Sequence, residues 1–175
     1  MLDLIIEVGR LKTLPRTGWL LRGVSNPESI AEHSFRVTFV TMLLADELKR
    51  RGIPVDVERA LKIAIIHDVA EARLTDIPLT AQAYFDKDVA ERRAFREMLP
   101  DYLELFEDYA EGRTLEGRLV KFADKLEMLV QTYEYERAGH RNLNEFWRAL
   151  DHLRRSEFYR YFRDLVEELA RRRKV

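Results

Sequence analysis

The stretch Ala64-Ile65-Ile66-His67-Asp68-Val69-Ala70-Glu71 constrains this chain more than any other. It begins apolar and turns polar with no helix breaker between the two halves. Val57, Leu61 and Ala64 recur at spacings of four and three, and Asp68 and Glu71 continue the same row. Surface acids do not continue a core-facing stripe. A buried ionised carboxylate is costly unless it is paired or bound to a cation. Adjacent helical residues point about 100° apart, so His67 and Asp68 can both reach one ion lying against that side. A hydrogen-bonded His67–Asp68 pair would explain the dipeptide but leave Glu71 unexplained.

The chain has 175 residues, enough for one domain with a real core and short for two, so residues 1–175 are expected to form a single domain. No apolar run approaches the ~20 residues of a membrane span. Met1 to Glu7 carries acids and lacks a basic start, unlike a signal peptide. There is no cysteine, which excludes disulfide frameworks and thiolate sites and fits a cytoplasmic protein. Thirty basic and 31 acidic residues nearly cancel, which argues against nucleic-acid or membrane partners.

Periodicity predicts an all-α fold of seven or eight helices without internal repeats. A short amphipathic helix over 2–14 is followed by a turn, Pro15 to Trp19, that displays Arg16 and Trp19. Ser29 and Glu32 have the spacing of a capping box, which makes Glu32 a structural cap rather than a catalytic acid. The helix they open, 29–51, carries the stripe His33, Val37, Val40, Leu44 and Leu48. The next spans 56–73 and contains the organising stretch, and Asp76-Ile77-Pro78 follows it. Residues 79–113 are strongly charged and read as a covering subdomain. A long helix over 114–138 carries Asp124 at the edge of its apolar side. Helices over 143–154 and 157–173 are rich in Phe, Trp and Leu and read as packing elements, so the metal-bearing core falls in 29–138. The basic run Arg171 to Lys174 suits the negative end of a helix.

Taken singly, these residues have ordinary explanations: a core histidine at His33, a turn residue at Asp76, a surface ion pair at Asp124. Together, three helices offer His33, His67, Asp68 and Asp124. Two imidazoles and two carboxylates suit one divalent transition metal (Mn, Co, Ni, Fe or Zn). Such an ion makes water a usable nucleophile near neutral pH. Only His140 and His152 remain elsewhere, too few for a second centre of this kind.

The order His … His-Asp … Asp on successive helices resembles the HD-domain superfamily of metal-dependent phosphohydrolases. Five segments in order are similar to the 5′-deoxynucleotidase family within it: Arg16-Thr17-Gly18-Trp19, Ile30 to Ser34, His67 to Glu71, Asp76-Ile77-Pro78 and Lys121 to Glu127. The resemblance implies a single HD-type helical bundle acting on deoxynucleoside 5′-monophosphates. It implies metal ligation by His33, His67, Asp68 and Asp124, and acid–base catalysis by Glu71. Asp76 would approach the sugar and help exclude a 2′-hydroxyl, Arg16 would clamp the phosphate, and Trp19 would wall the sugar pocket. Thr17-Gly18 between Arg16 and Trp19 matches the eukaryotic-like branch, and Thr75 stands where a Gly often precedes the acid. A homodimer is expected from the resemblance and from the aromatic-rich C-terminal helices. The alternatives are a phosphatase for other small phosphomonoesters and a non-catalytic nucleotide sensor.

Overall fold

The computed structural model describes residues 1–173; of the basic C-terminal run, Lys174 lies outside the described residues. These residues form an all-α fold with no β-strand among them and one isolated bridge between Pro15 and Ser29. In chain order the helices are α1 (Leu2–Val8), α2 (Thr17–Leu20), α3 (Ile30–Arg50), α4 (Val57–Ile66), α5 (Glu71–Leu74), α6 (Lys87–Met98), α7 (Leu103–Glu111), α8 (Leu115–Arg137), α9 (Ala149–Arg155) and α10 (Tyr159–Arg172). Several expected helices are shorter. Residues 9–12 form a 3-10 turn rather than the end of α1, and 143–148 precede α9 as a loop and a 3-10 turn.

The capping box at the start of α3 is present in full: Ser29 Oγ accepts from the Glu32 amide, and Glu32 Oε2 accepts from the Ser29 amide. Glu32 is thereby occupied as a cap. Thr114 caps α8 by a single bond, its Oγ1 accepting from the Gly117 amide. Gly117 also lies against the α7 backbone at Asp108 and Tyr109. A Cβ there would lie 2.1 Å from the Asp108 carbonyl oxygen, so only glycine allows this contact, which sets Tyr109 against α8.

The expected helix 56–73 is not continuous. Asp56 caps α4 as predicted, but α4 ends at Ile66, and His67 to Ala70 form a turn before α5. The amides of Val69, Glu71 and Ala72 bond three residues back, to Ile66, Asp68 and Val69. A side chain accounts for the tightening: His67 Nδ1 lies 2.7 Å from the Ala64 carbonyl, the acceptor that the Asp68 amide would use in an α-helix.

The core joins α3, α4, α8, α9 and α10 through Leu48, Ile63, Leu119, Leu129, Leu153 and Val166. Trp147, Phe158 and Phe162 are buried within it, so the aromatic C-terminal helices pack this chain's own core and give no support to a dimer. The exposed apolar row lies instead on α3, at Phe35, Phe39 and Leu43, spaced by four.

Candidate metal centre

Three elements meet at one point. The first turn of α3 brings His33, the turn after α4 brings His67 and Asp68, and the middle of α8 brings Asp124. Ligating atoms of His33, His67 and Asp124 all lie within 4.8 Å of one another. Asp68 Oδ2 is 3.3 Å from His67 Nε2 and 3.8 Å from His33 Nε2, and Asp124 Oδ1 is 3.2 Å from His33 Nε2. All four predicted ligands are therefore brought together.

The imidazoles are prepared as donors. His67 Nδ1 faces the Ala64 carbonyl, and His33 Nδ1 lies 2.5 Å from Glu127 Oε2. Each Nδ1 directs a hydrogen at its acceptor, so Nε2 is the nitrogen that each neutral ring would offer to a cation. Both Nε2 atoms are buried without a hydrogen-bond partner, and both face carboxylates. Two orphaned imidazole nitrogens beside two carboxylates fit a borderline divalent cation with mixed N/O ligation.

The charges agree with this. Burial pushes the Asp68 and Asp124 carboxyls up, but His67, His33 and Arg16 outweigh it and hold both well below the usual range. Burial and Arg16 push His33 down, and the carboxylates of Asp124 and Glu127 raise it to about 10. His67 is raised against its burial chiefly by Asp68. The site holds positive charge strongly.

Around this cluster stand the remaining predicted residues. Arg16 Nη1 donates to Asp68 Oδ2 at 3.2 Å, and the surrounding acids keep the guanidinium charged despite burial. Glu71 is buried at the start of α5, with Oε2 unpartnered and Oε1 3.8 Å from Lys87 Nζ. Burial first, then the Asp68 charge, pushes the Glu71 carboxyl up to about 9. Asp76 is tied to the Arg16 turn through Thr17. Thr75 before it has φ +65° and ψ 171°, a conformation that glycine adopts freely. Trp19 stands apart from the others. It is 2 % exposed, its ring is covered by Phe146 at 4.1 Å and Tyr135 at 5.3 Å, and its Nε1 donates to Glu28. No open aromatic face is left for a sugar. His140 packs on Tyr135 and His152 is exposed, and neither joins a metal-ligand cluster among the described residues.

Sequence reasoning missed three residues. Tyr109 donates its hydroxyl to Asp124 Oδ2 at 3.0 Å and sets its ring 5.2 Å from that of His67. Lys87 reaches Glu71 from α6. Both come from the charged segment read only as a cover. Glu127 lies one turn after Asp124, and that spacing was the available signal.

The match to known proteins follows this geometry. A family model described as "HD domain" matches residues 8–165. The 5′-deoxynucleotidase hdd1 of Schizosaccharomyces pombe is 38 % identical over 154 residues, 79 % of this chain and 75 % of that protein. The 5′-deoxynucleotidase HDDC2 of Homo sapiens is 32 % identical, covering 84 % of this chain and 74 % of that one. A solved structure, a conserved hypothetical protein from Pyrococcus furiosus, superposes with a TM-score of 0.95 at 57 % identity, over 98 % of this chain and 99 % of that one. The chain belongs to the HD-domain family of metal-dependent phosphohydrolases.

Proposed function

We propose that the chain is a metal-dependent 5′-deoxynucleotidase that hydrolyses deoxynucleoside 5′-monophosphates to deoxynucleosides and phosphate. The observation that carries the reading is the pair of buried, partnerless Nε2 atoms facing Asp68 and Asp124, with the Arg16 guanidinium and the buried, unpartnered Glu71 carboxyl beside them. The relatives named 5′-deoxynucleotidase support the substrate class. His33, His67, Asp68 and Asp124 would hold one divalent transition metal, which supplies Lewis-acid polarisation of the phosphate and a more acidic water.

The chain's own groups do the rest. Arg16 binds phosphate oxygens, a task suited to a guanidinium fork. Water attacks phosphorus and the bond to O5′ breaks. O5′ takes the electron pair and the Glu71 proton, and Glu71 recovers a proton from the attacking water. Asp76 faces the sugar and disfavours a 2′-hydroxyl. Trp19 packs behind the Arg16 turn, its ring closed off by Phe146 and Tyr135. Its covered ring favours a second reading, a looser phosphatase for small phosphomonoesters.

Phosphate release from dAMP and AMP, with and without Mn²⁺ or Co²⁺, tests these readings. Metal-dependent release from dAMP well above AMP supports the first, and equal rates support the second. No release from any phosphomonoester would leave the non-catalytic sensor.

The homodimer is part of this proposal and now rests on the α3 row of Phe35, Phe39 and Leu43, exposed enough to need a cover. Light scattering at micromolar concentration should give twice the chain mass. Action in the cytoplasm is likewise proposed; among the described residues no helix is long and apolar enough to cross a membrane.

A further inference from the structure

Behind His33, on the side away from the ligand cluster, lies a second acid whose position is as closely defined as any ligand's. Glu127 is fully buried on α8, one turn beyond Asp124. Its Oε2 is 2.5 Å from His33 Nδ1, and its Oε1 accepts from Arg36 Nε at 2.8 Å. Arg36 is one turn beyond His33 on α3 and is held in turn by Gln131 and by Glu134 at 2.7 Å. The two ligand-bearing helices are therefore tied together one turn past their ligands, by a charge-assisted pair at the same offset on each.

We propose that Glu127, braced by Arg36, is the positioning residue that makes His33 an Nε2 donor and strengthens its hold on the cation. The inference rests on the metal reading above. An ionised carboxylate only accepts hydrogen bonds, so it assigns the hydrogen to Nδ1 and leaves Nε2 bare. It also feeds negative charge into the ring, which raises ligand basicity. His67 lacks this. Its Nδ1 faces only the neutral Ala64 carbonyl. The two histidines are thus unequal ligands, and His33 is the stronger. Both Glu127 oxygens are engaged, so the buried charge is compensated and the ring is fixed in orientation. Removing the charge should therefore weaken the metal while leaving the fold in place.

Glu127→Gln keeps the shape and an oxygen acceptor for Nδ1, and removes the charge together with the acceptor of the Arg36 Nε bond. Competition titration with Co²⁺ should show dissociation constants about 10- to 100-fold weaker than wild type, with unchanged circular dichroism and with Glu168→Gln, on α10 and paired with Arg172, binding as wild type. Equal Co²⁺ affinity for Glu127→Gln and wild type would overturn the proposal and leave the metal reading standing. A wild-type chain that takes up no Co²⁺ would remove both. Should Glu127→Gln fail to fold, the wild-type chain decides alone. In the Zn²⁺-loaded protein, ring ¹⁵N shifts should show His33 protonated at Nδ1 and ligating through Nε2, and ligation through Nδ1 would overturn the assignment.

Discussion

Thr17 holds Asp76 at two points: its amide N–H donates to Asp76 Oδ2 at 2.5 Å, and its hydroxyl donates to the Asp76 carbonyl at 3.0 Å. Thr17 follows Arg16, whose guanidinium donates to Asp68. The proposed phosphate clamp and the acid proposed to face the sugar are therefore parts of one unit, and one Asp76 oxygen stays free of Thr17.

Thr17→Val keeps the shape and the amide but deletes the hydroxyl bond, a loss of about 1 kcal/mol. The expected effect is on selectivity. The dAMP-to-AMP ratio of kcat/KM should fall several-fold while kcat for dAMP changes little. Asp76→Ala should lower the same ratio further. If Thr17→Val lost kcat and kept the ratio, Thr17 would serve the clamp rather than the sugar.

The backbone just before this acid is strained. Thr75 is β-branched and has φ +65°, where such side chains cost about 1–3 kcal/mol. Glycine removes that strain and adds roughly 0.5–1 kcal/mol of unfolded-state entropy. Thr75→Gly should therefore raise the thermal midpoint by a few degrees. A midpoint at or below wild type would show that the Thr75 side chain stabilises the segment in another way.

The candidate ligands were legible in the sequence because burial of polar groups breaks a helical stripe visibly. His33 heads an apolar row, and Asp68 and Glu71 interrupt another. The end of α4 was not legible, because a His67 ring nitrogen takes a backbone carbonyl and local propensity carries no trace of it. Glu127 reads as one more charge beside Lys125, and its burial depends on Arg36 from another helix. Trp19 reads as an open aromatic wall until Phe146, far along the chain, covers it. Periodicity reports which face is buried; it does not report which distant side chain lies against it.

Glu28 gives a pH signature. Its Oε1 accepts from Trp19 Nε1 at 3.0 Å, and burial, with the Glu127 charge adding to it, pushes its carboxyl up to about 7. A folded-state value above the ordinary 4.5 means that its stabilisation is complete below about pH 4.5 and is lost as pH rises through 7. Gln mimics the protonated acid. Melting of Glu28→Gln and wild type in chelator should coincide near pH 4.5 and diverge by pH 8 in favour of the variant, by about 1–3 kcal/mol. Parallel curves across that range would show that Glu28 does not take up a proton on folding.

Glu71 separates chemistry from metal binding. It shares the wall of the site with Asp68, but its raised carboxyl, at about 9, carries a proton at neutral pH. As the acid that protonates O5′, it should keep kcat level while its carboxyl is protonated and let it fall at alkaline pH. General acid catalysis is worth roughly 10²–10⁴-fold. Glu71→Gln should lower kcat by that order and leave bound metal at wild-type content. Asp68→Ala should lose metal and activity together, because that carboxylate faces both imidazoles. Metal analysis and steady-state kinetics on the two variants check both statements. Near-normal kcat in Glu71→Gln would move the proton donor elsewhere, and Lys87, 3.8 Å from Glu71, would be the next group to vary.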